Sequence, residues 1–62
     1  MKATVKIESG KVYEGTTNGK MYGGKFYMEA PIMVTGTDGE VFESSKKKME
    51  FIYADCKSVK IS

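Results

Sequence analysis

Apolar and polar side chains alternate along most of the chain, and this period of two is the feature that most constrains the fold. In ATVKIES (3–9), Ala3, Val5 and Ile7 fall on one face of an extended segment, and polar residues fall on the other. Such alternation is typical of an antiparallel strand with one buried face. No window has the spacing of a useful amphipathic helix, so we expect an all-β protein.

Turn signals divide the alternating sequence into short strands. They stand at Ser9-Gly10, Asn18-Gly19, Gly23-Gly24 and Thr37-Asp38-Gly39. Asn18-Gly19 is the strongest hairpin dipeptide among them, because both residues tolerate a positive φ. Pro31 interrupts the longest segment, KFYMEAPIMVTG (25–36), and lacks a backbone donor. We therefore expect it at an edge, a bulge or a bend.

The number and length of these segments predict one small domain over residues 1–62. Five or six short strands with regular turn signals favour a small barrel or sandwich, and at this length a five-stranded antiparallel SH3-like barrel. The single cysteine, Cys56, cannot form an internal disulfide, and histidine is absent. A closed barrel, or association with copies of itself or a partner, would supply the missing stability.

Hydropathy and cysteine content favour a cytosolic, soluble protein. The first residues alternate charged and apolar side chains, and no apolar segment approaches the roughly 20 residues that span a bilayer. A single unpaired cysteine fits a reducing compartment better than a secreted one. We expect no contact with membranes.

The charge pattern argues against a reader of duplex DNA sequence. Ten lysines stand against eight acidic residues, the net charge is +2, and arginine is absent. Bidentate recognition of guanine in a groove normally uses the guanidinium fork, which lysine cannot replace.

The segment GKMYGGKF (19–26) has the spacing of a phosphate-binding loop, but its context is different. Such a loop needs a helix after it and a hydroxyl following the lysine, whereas Phe26 follows Lys25 and the continuation is strand-like. We interpret the segment as a glycine-rich β-turn.

Catalysis has few candidate groups. Without histidine, neither a serine triad nor a Cys–His pair can form. Cys56 lies between Asp55 and Lys57, so a modestly activated thiol is conceivable, although a structural role is far more common. We predict a non-catalytic protein without cofactor or metal.

Aromatic and basic residues give a candidate interface for single-stranded RNA or DNA, since rings stack on bases and cations neutralise the backbone. The proposed residues are Lys20, Tyr22, Lys25 and Tyr53, with a second basic cluster at Lys46, Lys47 and Lys48. The alternative is that the tyrosines are sheet formers and the lysines a solvated face.

A second possible interface is apolar. Met33 is out of phase with Ile32 and Val34, which makes it the best candidate for a side chain facing a partner, with Tyr27 as a second contact. This favours the alternative function, a protein-interaction or regulatory accessory module of phage or mobile-element type without nucleic-acid binding.

In order along the chain, three segments resemble the Sm-like family of Sm, Lsm and Hfq proteins. They are TVKIESGKVYEG (4–15), similar to the opening hairpin, FYMEAP (26–31), similar to the third strand, and FIYADCKSVKIS (51–62), similar to the closing element. The resemblance implies a short barrel that assembles into a ring and binds RNA at the pore.

The RNA-reading motifs of that family are not matched. Tyr22-Gly23-Gly24-Lys25 stands where the family has a Met/His-Asn pair, and Tyr53-Ala54 stands where it has Arg-Gly. The N-terminal helix of the family is absent too. The resemblance therefore implies the barrel and the homo-oligomer more than the RNA site.

Overall fold

The computed structural model of the chain describes residues 1–62, and its regular structure is nearly all β-strand. The strands are β1 (Lys2–Ile7), β2 (Val12–Thr16), β3 (Lys25–Thr35), β4 (Val41–Glu43), β5 (Lys48–Ile52) and β6 (Cys56–Ile61). One turn of 3-10 helix, Tyr53–Asp55, joins β5 to β6. The all-β prediction is confirmed. The chain contains no helix with the length and apolar character needed to cross a bilayer.

The six strands form one antiparallel sheet in the order β4-β3-β2-β1-β6, and β5 also pairs with β3. The sheet is open, because neither β4 nor β5 pairs with β6. The five-stranded barrel is therefore not confirmed. The six strands agree with the five or six segments predicted from the turn signals, and the sixth arises because a connection at residues 44–47 divides the edge strand into β4 and β5.

β4 and β5 lie end to end along the same edge of β3. Met33 is opposite Glu43 in one ladder, and Glu29 is opposite Lys48 in the other. From Glu29 to Met33 is four residues along β3, whereas from Glu43 to Lys48 is five residues along the neighbouring edge. The two edges are therefore offset by one residue. Pro31, after a cis peptide bond, lies inside this irregular stretch. Its predicted position at a bulge or bend is confirmed.

The core consists of seven buried apolar residues from β1, β3 and β5. They are Ala3, Val5, Phe26, Met28, Ile32, Val34 and Phe51. The Phe51 ring packs against Phe26 at 5.5 Å and against Tyr13 at 5.4 Å between ring centroids. Ala30 alternates with Phe26 and Met28 in the sequence, which predicts a buried side chain, and yet it is exposed. The alternation fails there because the ladder is irregular around Pro31.

β2 approaches β3 closely at Gly15. A Cβ atom on this residue would lie 2.6 Å from Cγ of Met28 and 3.1 Å from the carbonyl oxygen of Glu29. The register between β2 and β3 also shifts between Glu14 and Thr16. A residue without a side chain is thus required where β2 crosses the buried Met28.

Candidate functional site

A tight turn at Gly23-Gly24 opens β3. The Tyr22 amide donates to the carbonyl of Lys25 at 2.7 Å, and the Lys25 amide donates back to Tyr22 at 3.2 Å. Both glycines have a positive φ, 60° and 79°, as in a type I′ hairpin turn. The interpretation of this segment as a glycine-rich β-turn is confirmed. The hairpin turn lies here and not at Asn18-Gly19, where only Gly19 has a positive φ.

Beside this turn lies the single pocket of the molecule, with a volume of about 290 Å³. Its walls are formed by Asn18, Tyr22, Tyr27, Glu29 and Lys48. Tyr27 and Glu29 alternate with the buried Phe26 and Met28, so they lie on the outer face of β3. Lys48 reaches the pocket from β5, where it is the cross-strand partner of Glu29.

Two tyrosine rings form the aromatic wall of the pocket. The centroids of Tyr22 and Tyr27 are 6.0 Å apart and the ring planes are tilted by 51°. The ammonium of Lys48 lies 4.5 Å from the centroid of Tyr27, which is within cation–π distance. The pocket therefore combines exposed ring surface with a positive charge.

Asn18 holds Tyr22 in place. Its Nδ2 donates to the Tyr22 hydroxyl at 2.9 Å, while its Oδ1 accepts from the Lys20 amide at 2.9 Å. Both ends of the amide are thus engaged within the loop. Asn18 is a positioning residue for the Tyr22 ring.

Glu29 is the uncommitted acid of the pocket. Glu29 is opposite Lys48 in the β3–β5 ladder, yet the two form no ion pair, because the Lys48 ammonium lies over the Tyr27 ring. The two salt bridges of the molecule, Lys2–Glu14 at 3.2 Å and Lys25–Glu50 at 3.7 Å, lie elsewhere. The Glu29 carboxylate is therefore free to accept hydrogen bonds from a ligand.

Tyr27 is also influenced by Glu50, its partner across the β3–β5 ladder. Hydrogen bonding to Glu50, and then the negative charge of that carboxylate, raise the pKa of the Tyr27 phenol above its ordinary value. The phenol therefore stays protonated at neutral pH, with its hydrogen directed to Glu50.

The structure brings most of the predicted nucleic-acid residues near this turn. Lys25 closes the turn, and the Tyr53 amide donates to the carbonyl of Gly24 at 2.9 Å. The Tyr53 side chain is 52% exposed. Lys20 lies in the loop before the turn, bonded to Asn18.

The triple lysine is divided between two locations. Lys48 lines the pocket from β5, whereas Lys46 and Lys47 lie in the connection between β4 and β5, are exposed and line no pocket. The Lys47 carbonyl accepts from the Ala30 amide at 2.9 Å. Only Lys48 is therefore in contact with the aromatic wall.

The two residues predicted for a protein interface are not brought together. Tyr27 lies in the pocket, whereas Met33 lies in the second half of β3, 37% exposed between its partners Glu14 and Glu43. Met33 is exposed, as its phase predicted. Two further exposed apolar residues, Val41 and Phe42 on β4, were missed because their short strand gave no clear buried face.

Sequence reasoning also missed two pocket residues. Glu29 could have been found, since it stands two positions from Tyr27 and thus shares its face of the strand. Asn18 could not, because the loop that folds its amide onto Tyr22 has no periodicity. It had been assigned to a turn instead.

The thiol of Cys56 is not activated. Its Sγ contacts the carbonyl oxygen of Ile52 at 3.4 Å, and the side chain packs against the core. Burial, and then the neighbouring Asp55, raise the pKa of Cys56. A thiol with a raised pKa holds little thiolate at neutral pH, which is the opposite of what a nucleophile needs.

Comparison of the chain with protein-family models, with characterised proteins and with solved structures finds no match.

Proposed function

We propose that this protein is a non-catalytic β-module that binds single-stranded nucleic acid at the pocket beside the Gly23-Gly24 turn. The observation that carries the proposal is the meeting of Tyr22, Tyr27 and the Lys48 ammonium in one open pocket. Rings that stack on bases, next to cations that neutralise phosphates, are the usual means of holding a single strand.

Residues next to the pocket add further aromatic and basic contacts for a bound oligonucleotide. Tyr53, tied by its amide to the turn, offers a further exposed ring. Lys20 and Lys25 flank the turn and supply positive charge, although Lys25 is shared with Glu50. Stacking contributes about 1–3 kcal/mol per base and tolerates any sequence, so modest affinity for many single strands is expected.

We further propose that the module is related to the SH3-like or Sm-like barrels, with the sheet left open between β6 and the β4–β5 edge, and that it forms homo-oligomers. β4 and β5 pair with the same edge of β3, so they act as two parts of one long edge strand. With that strand counted once, five extended segments remain, and the last one pairs with the first. The two free edges of the open sheet offer unpaired backbone groups to a second copy.

The test is fluorescence anisotropy with labelled oligo-U and oligo-A at low salt. Lys48→Ala should weaken binding severalfold, because it removes the cation at the pocket, and affinity should fall steeply as salt rises. Lys46→Ala is the matched control, since Lys46 lies outside the pocket, and it should have a smaller effect. Absence of binding at low salt would contradict the proposal.

The exposed apolar residues on β3 and β4 favour a second candidate, a protein-interaction or regulatory accessory module of phage or mobile-element type. Met33, Val41 and Phe42 are 37%, 57% and 51% exposed. Met33→Asp should abolish recovery of a partner in pull-down experiments and leave oligonucleotide binding unchanged. Unchanged recovery would count against this interface.

A further inference from the structure

We propose that the pocket prefers guanine among the bases, an inference that rests on the nucleic-acid binding proposed above. In this assignment, the Glu29 carboxylate accepts hydrogen bonds from N1–H and N2–H of the base. The Lys48 ammonium donates to O6, and the base stacks on the tyrosine wall.

The polar groups left free in the pocket determine which base edge fits. Asn18 is held within the loop, because its Nδ2 donates to the Tyr22 hydroxyl and its Oδ1 accepts from the Lys20 amide. The two charged groups of the pocket are the Glu29 carboxylate, which only accepts hydrogen bonds, and the Lys48 ammonium, which only donates them, and neither forms an ion pair. The pocket therefore offers acceptors and a donor side by side.

The ladder sets the spacing of these two groups. Glu29 and Lys48 are directly opposite in the β3–β5 register, and the Cβ atoms of such pairs are about 4.5–5.5 Å apart. Their charged ends thus reach adjacent positions on the edge of one base. Lys48 has a flexible stem, so its ammonium can leave the ring face of Tyr27 for a nearby oxygen.

Guanine alone presents the matching edge. Its Watson–Crick edge carries two adjacent N–H groups, which one carboxylate can accept together, followed by the O6 acceptor. Adenine and cytosine place a ring-nitrogen acceptor beside their amino group, and uracil and thymine place carbonyl oxygens on both sides of their N–H. Each of these bases would turn an acceptor towards the Glu29 carboxylate, which is unfavourable because neither group can donate.

The aromatic wall accommodates the base above these contacts. The Lys48 ammonium 4.5 Å from the Tyr27 centroid marks an accessible ring face. The Tyr22 and Tyr27 rings are tilted by 51° and are therefore not stacked on each other. A purine stacked on Tyr27 would have the Tyr22 ring at its side, and Asn18 holds that ring in position.

The experiment is anisotropy with short labelled oligo-U strands that carry one central guanine, adenine, cytosine or inosine, in ribo and deoxy series. Inosine keeps O6 and N1–H but lacks the N2 amine. We expect the guanine strand to bind on the order of tenfold more tightly than the all-uridine strand, with inosine between them. A guanine preference in both series would mean that the pocket binds single-stranded RNA and DNA alike. A preference found only in the ribo series would mean that its ligand is RNA.

Glu29→Gln should reduce the ratio of guanine to uridine affinity to within about twofold, because a carboxamide cannot accept both N–H groups. The readout is this ratio, since loss of the carboxylate at the pocket can change the affinity for every strand. Glu43→Gln, an exposed acid on β4, is the matched control and should retain the preference. Equal affinity for all bases, or a preference for adenine, would overturn the guanine assignment but leave the proposed function standing. Absence of binding by every strand would overturn both.

Discussion

Two carboxylates lie near the pocket tyrosine Tyr27, and only one of them is engaged. Glu50 lies opposite Tyr27 and is already engaged, since it also approaches Lys25 at 3.7 Å. Glu29 lies two residues further along β3 and has no partner. The first acid sets the protonation of the ring, and the second remains available to a ligand.

The titration of Tyr27 tests the role of Glu50. Glu50→Gln should lower the pKa of Tyr27 towards the ordinary value of about 10, because hydrogen bonding to the Glu50 carboxylate and its negative charge are the two largest causes of the upward shift. Ultraviolet absorbance of tyrosinate, compared with Tyr27→Phe, measures the change. The folded state holds this proton more tightly than the unfolded chain. The associated stability is therefore present below about pH 10 and is lost as the pH rises through the folded-state pKa. An unchanged titration curve would exclude the contact.

Cys56 should react slowly with thiol reagents. Burial and Asp55 raise its pKa, so the reactive thiolate is scarce at neutral pH. Alkylation by iodoacetamide should be slower in the native protein than in the urea-unfolded chain, and Asp55→Asn should accelerate the native reaction modestly. A native rate equal to the unfolded rate would show that the thiol is neither shielded nor shifted.

At the scale of single residues, the sequence predicts which side chains are exposed better than it predicts which of them lie next to each other. Tyr22 and Lys48 were both expected at a nucleic-acid surface, but nothing in the sequence joined them, because they lie on different elements. Lys46 and Lys47 were grouped with Lys48 by adjacency. In the structure Lys48 is the first residue of β5, whereas Lys46 and Lys47 precede that strand.

At the scale of strands, the crossing of β2 over β3 depends on Gly15. Gly15→Ala should destabilise the fold by about 1–3 kcal/mol, the usual cost of overpacking, because the new methyl would meet Met28 and a backbone carbonyl. Urea unfolding followed by circular dichroism measures the change.

Gly36→Ala is the control for that experiment. Its added Cβ would meet mainly the Asp38 carboxylate at 2.9 Å, and Asp38 is exposed and able to move. We therefore expect a smaller loss of stability than for Gly15→Ala. Equal losses would mean that the cost arises from the glycine backbone and not from the contact with Met28.

The long strand β3 illustrates what alternation can and cannot predict. Phe26, Met28, Ile32 and Val34 are buried, as the period of two requires. Ala30 has the right phase and is nevertheless exposed. A local pattern cannot predict an offset that depends on how β2 and the β4–β5 edge pair around Pro31.

At the scale of the whole molecule, a core of seven residues and an open sheet suggest that association contributes to stability. We expect light scattering to give a solution mass several times that of one chain, and a pentamer to heptamer would favour a ring. The apparent unfolding temperature should then rise with protein concentration. A monomeric mass at all concentrations would contradict the homo-oligomer.

The fold class could be predicted from the sequence because strand formation is encoded in neighbouring residues. Closure of a barrel could not, because it depends on pairing between residues that are far apart in the chain. The last strand pairs with β1, as Val59 opposite Val5 illustrates, and no strand covers its other side.

The hydrogen bond from the Tyr53 amide to the Gly24 carbonyl gives the molecule a built-in reporter. This amide lies at the 3-10 turn, outside the pocket, yet its acceptor belongs to the turn that presents Tyr22. A ligand that steadies the turn should slow deuterium exchange at Tyr53, even if the Tyr53 ring is replaced. Occupancy of the pocket could then be followed at one backbone proton, without a label on the ligand.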